Sequence, residues 1–76
     1  MALDPLNLTY NSTILLNKAI AYTKLSKNEE ALASLNKCLK MNPDYAKAYV
    51  KRGEVQSALG DHEEAVRDYG AAAQID

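Results

Sequence analysis

Residues 25–41, LSKNEEALASLNKCLKM, and residues 59–75, LGDHEEAVRDYGAAAQI, share one pattern of residue size and charge, 34 positions apart. The matched pairs are Leu25/Leu59, Glu29/Glu63, Glu30/Glu64, Ala31/Ala65, Leu32/Val66, Leu35/Tyr69, Cys38/Ala72 and Met41/Ile75. A fixed period in this range is typical of a solenoid, in which each unit buries its apolar face only against its neighbours. The pattern therefore predicts a repeat protein that presents a binding surface rather than a catalytic centre.

Working outward from this repeat, apolar residues at spacings of three and four predict four helices, and no stretch alternates as a strand does. The helices are expected over about residues 8–25, from just after Ser26 to 41, 45–59, and 62 to the end. The expected buried positions are Ile14, Leu15, Ala19, Tyr22 and Leu25 in the first helix, with the stem of Lys18 lying along them, Ala31, Leu32, Leu35, Cys38 and Leu39 in the second, and Ala65, Val66, Tyr69, Ala72 and Ile75 in the fourth. Short turns make successive helices antiparallel, so the predicted fold is all-α, built of antiparallel helix-turn-helix repeats.

The helix ends carry their own signals. Ser26 with Glu29, and Asp61 with Glu64, have the spacing of capping boxes, in which each side chain bonds the free backbone N–H of the other residue. Asp44 is expected to cap the third helix. Gly60 is expected to close that helix in the left-handed conformation.

Composition limits the classes of function. The chain has 76 residues and a net charge of −1, but residues 1–52 carry a balance of +4 and residues 53–76 a balance of −5. Cys38 is the single cysteine, which excludes an internal disulfide and suits a reducing compartment. No apolar run is long enough for a membrane span, and Met1–Pro5 does not resemble a signal peptide. We therefore expect a cytoplasmic protein without a membrane interaction.

A period of 34 with two helices per unit, a small residue early in the second helix and a proline at its end resembles the tetratricopeptide repeat. A first unit over residues 12–45 places the family's seven characteristic positions on Leu15, Ala19, Tyr22, Ala31, Leu35, Cys38 and Pro43. A second unit over residues 46–76 places six of them on Tyr49, Gly53, Gln56, Ala65, Tyr69 and Ala72, and Gln56 departs from the usual aromatic residue. Residues 1–11, with Leu3-Asp4-Pro5, resemble the remnant and connection of a preceding unit. The resemblance implies an α-solenoid fragment.

Some motifs narrow the resemblance to co-chaperones that join such repeats to a DnaJ module, although no J-domain signature is present. Asp4-Pro5, the run YAKAY at residues 45–49 and the run EEAVRDY at residues 63–69 carry this likeness. In one subset of the family, a carboxylate clamp holds the acidic C-terminal tail of a heat-shock chaperone of the 70 or 90 kDa class. The resemblance places three of the five clamp residues on Asn17, Lys47 and Lys51, with Lys24 assisting. We expect Ile20 and Val50 to offer apolar contacts to the tail.

The two lysines also suggest an anion site on physical grounds. Lys47 and Lys51 are four residues apart on one helix face, where like charges repel by about 0.2–0.5 kcal/mol. A carboxylate between them would remove that repulsion and accept charge-assisted hydrogen bonds from both ammonium groups and from the Asn17 amide. The competing interpretation is that both are ordinary solvated surface lysines.

Other functions find less support in the sequence. His62 lacks a catalytic or metal-binding partner, Cys38 occupies a small-residue core position, and the glutamate pairs 29–30 and 63–64 begin helices. We therefore predict no enzymatic activity, metal or cofactor. A nucleic-acid reader of the pentatricopeptide kind is disfavoured because its period is one residue longer and Gln56 or Lys51 alone makes no code. The main alternative is a structural module that self-associates as a homo-oligomer through open repeat ends.

Overall fold

The computed structural model describes residues 8–75, and the motif Leu3-Asp4-Pro5 lies outside them. Every regular element among the described residues is an α-helix. The helices are α1 Leu8–Lys24, α2 Asn28–Met41, α3 Ala46–Ala58 and α4 His62–Ile75. The all-α prediction is confirmed. None of the four described helices is both long and apolar enough to cross a membrane.

The helices pack mainly on their neighbours in the chain. α1 packs on α2, α2 on α3 and α3 on α4, and α3 also touches α1. Cys38, near the end of α2, donates a hydrogen bond from Sγ to the carbonyl oxygen of Ser12, near the start of α1, at 3.2 Å. This contact joins opposite ends of the two helices, as an antiparallel pair requires. α3 is therefore the helix through which the two hairpins meet.

The main core lies between α1, α2 and α3. Its buried members are Leu16, Ala19, Ala31, Leu35, Cys38, Leu39, Ala48 and Val55. Small residues at 19, 31 and 48 let the helix backbones approach closely, and Leu35 fills the space between them with none of its surface exposed. Ala65 and Ala72 are the buried apolar residues of α4.

The buried face of α1 differs from the predicted one. Ile14 and Leu25 were expected inside but are 46% and 66% exposed, whereas Ser12 and Leu16 are buried. The prediction followed the large apolar residues. In the structure, the face is set by residues 12, 16 and 19, because the small Ser12 lets Cys38 reach its carbonyl oxygen.

The fourth helix also departs from the prediction. Val66 is 69% exposed, Tyr69 41% and Ile75 40%, so only the two alanines of the predicted stripe are buried. Lys18 is exposed, and its ammonium lies 6.0 Å from the centroid of the Tyr22 ring.

The two hairpin turns have the same backbone structure. Ser26 and Gly60, 34 residues apart, both have positive φ, 62° and 88°. The N–H of Lys27 bonds the carbonyl of Tyr22 at 2.8 Å, and the N–H of Asp61 bonds the carbonyl of Gln56 at 2.7 Å. These six-residue closures are the Schellman arrangement that satisfies the last carbonyls of a helix. The prediction for Gly60 is confirmed.

The predicted side-chain caps are wrong. Ser26 takes part in closing α1, so the position before α2 falls to Lys27, which makes no side-chain cap bond. Tyr45 rather than Asp44 precedes α3, again without a side-chain cap. Glu64, expected to cap back onto Asp61, instead accepts a hydrogen bond from Arg67 at 2.8 Å.

Candidate functional site

A groove of about 730 Å³ runs between α1, α3 and α4. Its lining residues are Thr13, Leu16, Asn17, Ile20, Tyr45, Ala46, Lys47, Val50, Lys51, Tyr69, Ala72 and Ala73. The groove is mostly apolar and receives its charge from the two lysines of α3. It can therefore bind an extended, partly apolar segment that carries a negative group.

Helix geometry brings most of the predicted binding residues into this groove. Asn17 and Ile20 are one turn apart on α1, and Lys47, Val50 and Lys51 follow the same spacing on α3. The two helices are joined at the groove by a hydrogen bond of 3.3 Å between the hydroxyl groups of Thr13 and Tyr45. Five of the six predicted residues thus line one surface, and their role in binding remains a prediction.

Lys24 is placed differently from the other five. It lies in the last turn of α1, is exposed and is not among the residues that line the groove. A cation at that position interacts favourably with the negative end of the helix dipole. This electrostatic role does not require a ligand.

The two groove lysines are in different states. The ammonium of Lys51 forms an ion pair of 3.2 Å with the carboxylate of Glu54, and both side chains are well exposed, 39% and 52%. Lys47 is exposed and has no ion pair with any residue in the described part of the chain. Lys47 is therefore available to bind an anion, whereas Lys51 already forms a weak ion pair with Glu54.

Arg52, the next residue along α3, bonds other residues of the protein. Its guanidinium binds both oxygens of the Asp68 carboxylate, at 2.8 and 2.7 Å, and donates to Asn36 at 3.0 Å. It also lies 5.5 Å from the centroid of the Tyr49 ring. The hydrogen bond to Asp68 raises the pKa of Arg52 further above its ordinary value. Arg52 thus ties α3 to α2 and α4 and orients the helix that carries Lys47 and Lys51.

Gln56 completes this polar cluster. In the amide orientation that satisfies its surroundings, its nitrogen donates to the Asp68 carboxylate at 2.7 Å and to the carbonyl of Glu64 at 3.1 Å. Gln56 and Asp68 are both buried. Sequence reasoning missed the cluster, although Gln56 in place of an aromatic residue was its visible signal.

The other chemically notable residues have structural environments. Cys38 is fully buried, and burial raises the pKa of its thiol above the ordinary value of 9.0. A neutral thiol is a poor nucleophile and metal ligand. His62 is exposed at the first position of α4.

Comparison with known protein families gives two overlapping matches. A family model described as TPR repeat matches residues 19–60. A second, described as tetratricopeptide repeat, matches residues 46–76. Together they cover residues 19–76, from the last part of α1 through α4.

Curated relatives agree with these matches. The DnaJ homolog subfamily C member 7 homolog of Dictyostelium discoideum is 34% identical over all 76 residues, which are 14% of its own length. Heat shock protein STI1 of Saccharomyces cerevisiae is 37% identical over 68 residues, 90% of this chain and 12% of that protein. The Hsp70-Hsp90 organizing protein of Triticum aestivum is 35% identical over 60 residues, 79% of this chain and 10% of that protein. The chain thus spans about a seventh or less of these relatives.

Proposed function

Because the chain belongs to the tetratricopeptide repeat family, we propose that its groove holds the acidic C-terminal tail of a heat-shock chaperone of the 70 or 90 kDa class. The chain is a non-enzymatic protein-interaction module, and its relatives include a DnaJ homolog subfamily C member 7 homolog and heat shock protein STI1. The proposal concerns which partner the module takes and which side chains hold it. Such a partner would place the protein in the cytoplasm.

The observation that carries the proposal is the placement of Asn17, Lys47 and Lys51 along one groove. A peptide's terminal carboxylate and an acidic side chain can accept charge-assisted hydrogen bonds from the lysines, and the Asn17 amide can donate another. Ile20 and Val50 lie beside these groups and can contact an apolar side chain of the same peptide. Charged and apolar side chains therefore both face a peptide bound in this groove.

The relatives support a chaperone as the source of the tail. Two of them carry heat shock proteins in their names, as heat shock protein STI1 and as Hsp70-Hsp90 organizing protein. Each match covers most of the length of this chain. We therefore assign the tail to a chaperone rather than to an unrelated acidic protein.

An NMR titration of the 76-residue chain would test this function, because it detects weak as well as tight binding. The probe is a peptide ending in Glu-Glu-Val-Asp, compared with the same peptide carrying a C-terminal amide. We expect the free carboxylate form to shift the amide signals of residues in α1 and α3 around the groove, and to bind less tightly as salt is raised. Equal affinity for the two peptides would disprove the carboxylate clamp.

Self-association is the second candidate function, and exposed apolar side chains on the two outer helices favour it. Tyr10 and Ile14 of α1 are 63% and 46% exposed, and Val66 and Ile75 of α4 are 69% and 40% exposed. A second copy stacked end to end would cover α4 of one chain with α1 of the other and bring the acidic part of the first to the basic part of the second. Sedimentation over a range of protein concentrations should then reveal dimers or larger species, and a monomer at every concentration would exclude this function.

A further inference from the structure

We infer that Glu54 is an internal competitor for the groove, because its carboxylate occupies Lys51 and sets how tightly an acidic ligand binds. This inference rests on the proposed function and identifies a residue that regulates the affinity of the groove for its ligand. Glu54 does not line the groove, so it acts by holding Lys51 and by charge repulsion at a distance rather than by touching the ligand.

The geometry of α3 places Lys51 between two alternatives. Glu54 lies about one turn towards the C-terminal end of the helix, and Lys47 lies about one turn towards the N-terminal end. The ion pair of 3.2 Å draws the Lys51 ammonium towards Glu54 and away from Lys47. A ligand carboxylate that bridges the two lysines must draw the Lys51 side chain back.

The pair is weak enough to be displaced. Both partners are well exposed, 39% and 52%, and ion pairs between exposed side chains three residues apart contribute little to stability. Glu54 in addition repels an incoming carboxylate directly. Together the two effects lower the affinity for an acidic tail by about twofold to fourfold at low salt, and less as salt screens them.

The chain contains a matched control for this effect. Glu64 forms an ion pair of 2.8 Å with Arg67, also three residues apart and also exposed, on a part of α4 that does not line the groove. Glu54→Gln and Glu64→Gln change the net charge of the protein by the same amount. A difference between the two variants therefore reports the local effect of Glu54 on the groove and not the overall charge.

The test is a titration of wild type, E54Q and E64Q with the free-carboxylate peptide ending in Glu-Glu-Val-Asp, at low and high salt. We expect E54Q to bind about twofold to fourfold more tightly than wild type at low salt, with the gain shrinking at high salt, and E64Q to match wild type. In a Lys51→Ala background, Glu54→Gln should have a smaller effect, since only direct repulsion remains. Thermal denaturation of each variant checks that the fold is intact.

The outcomes separate this inference from the proposed function. If wild type binds the peptide and E54Q binds it equally well, or if E64Q gains as much as E54Q, the role of Glu54 is disproved and the groove keeps its function. If neither wild type nor E54Q binds the peptide, both are disproved.

Discussion

The ring of Tyr69 on α4 lies directly against the α-carbon of Gly53 on α3. A β-carbon built on Gly53 would be only 2.8 Å from Cε1 of Tyr69 and 3.0 Å from Cζ. Real β-carbons do not approach other atoms so closely, so any side chain at residue 53 would force the Tyr69 ring to shift. Tyr69 also lines the groove, so this contact fixes one of the groove's walls.

Gly53→Ala should therefore destabilise the protein. Overpacking costs about 1–3 kcal/mol, and the better helix propensity of alanine offsets about 1 kcal/mol of it. We expect a net loss of about 1 kcal/mol in the free energy of unfolding, measured by chemical denaturation. In a Tyr69→Ala background the clash is absent, and the same substitution should become stabilising; a loss in both backgrounds would contradict this account.

Gly70→Ala should have the opposite effect. Gly70 lies inside α4, and a β-carbon built on it has no neighbour within 4 Å. The substitution should stabilise the protein by about 0.5–1 kcal/mol through helix propensity alone. A raised thermal midpoint would confirm this, and a lowered one would show that α4 packs against something at this position.

Lys51→Ala should weaken binding of the acidic tail without unfolding the protein. The loss of a hydrogen bond between charged groups corresponds to about 1.5–3 kcal/mol in binding free energy. Stability should hardly change, because Lys51 is exposed and its pair with Glu54 contributes little. Lys37→Ala, on the exposed surface of α2 and outside the groove, is the control for lost charge. A collapse of the thermal midpoint in Lys51→Ala would show that this residue is structural.

Arg52→Met should be much more damaging than Arg67→Met. The first substitution leaves the Asp68 carboxylate, whose side chain is only 7% exposed, without its counter-ion, whereas the Arg67 and Glu64 side chains are 72% and 45% exposed. We expect a cost of about 2–3 kcal/mol for Arg52→Met, since Gln56 still bonds Asp68, and less than about 0.5 kcal/mol for Arg67→Met. Similar losses in the two variants, measured by urea denaturation, would contradict the assignment of the Arg52 cluster as a tie between helices.

The buried thiol predicts a loss of stability at alkaline pH. Burial raises the pKa of Cys38 in the folded state, so the unfolded chain loses the thiol proton at a lower pH than the folded protein does. The resulting stabilisation is complete below the unfolded pKa and disappears as the pH rises above it. The difference in unfolding free energy between wild type and Cys38→Ala should therefore shrink as the pH is raised above the ordinary thiol value. A constant difference from neutral to alkaline pH would argue against this effect.

Features that depend on one segment of the sequence could be predicted, and features that depend on packing between helices could not. The helices and the core positions Ala31, Leu35 and Cys38 were predicted because they follow from apolar periodicity within one segment. The buried face of α1 was not predicted correctly, because it depends on how closely α2 approaches the small Ser12. Ser26 was misassigned because serine is a common helix cap, and its left-handed conformation in the turn has no local signal.

In the candidate site, too, some features could be predicted from the sequence and others required the packing of the helices. The groove positions of Asn17, Lys47 and Lys51 follow from helical spacing and from the likeness to a known repeat, both visible in the sequence. The bond between Arg52 and Asp68 joins residues 16 apart on two different helices, so only their packing reveals it. The pair Lys51–Glu54 is local, yet its spacing does not show that Glu54 lies beside the groove and Lys51 within it.

The order in which the helices touch bears on how the chain folds during synthesis. Among the described helices, each packs on the next, and the farthest contact links α1 with α3. Low sequence separation between contacting residues is characteristic of rapid folding. The α1–α2 hairpin, closed by its own backbone bonds at Ser26, can therefore form on the ribosome before α4 has been translated, and it offers α3 a surface to fold against.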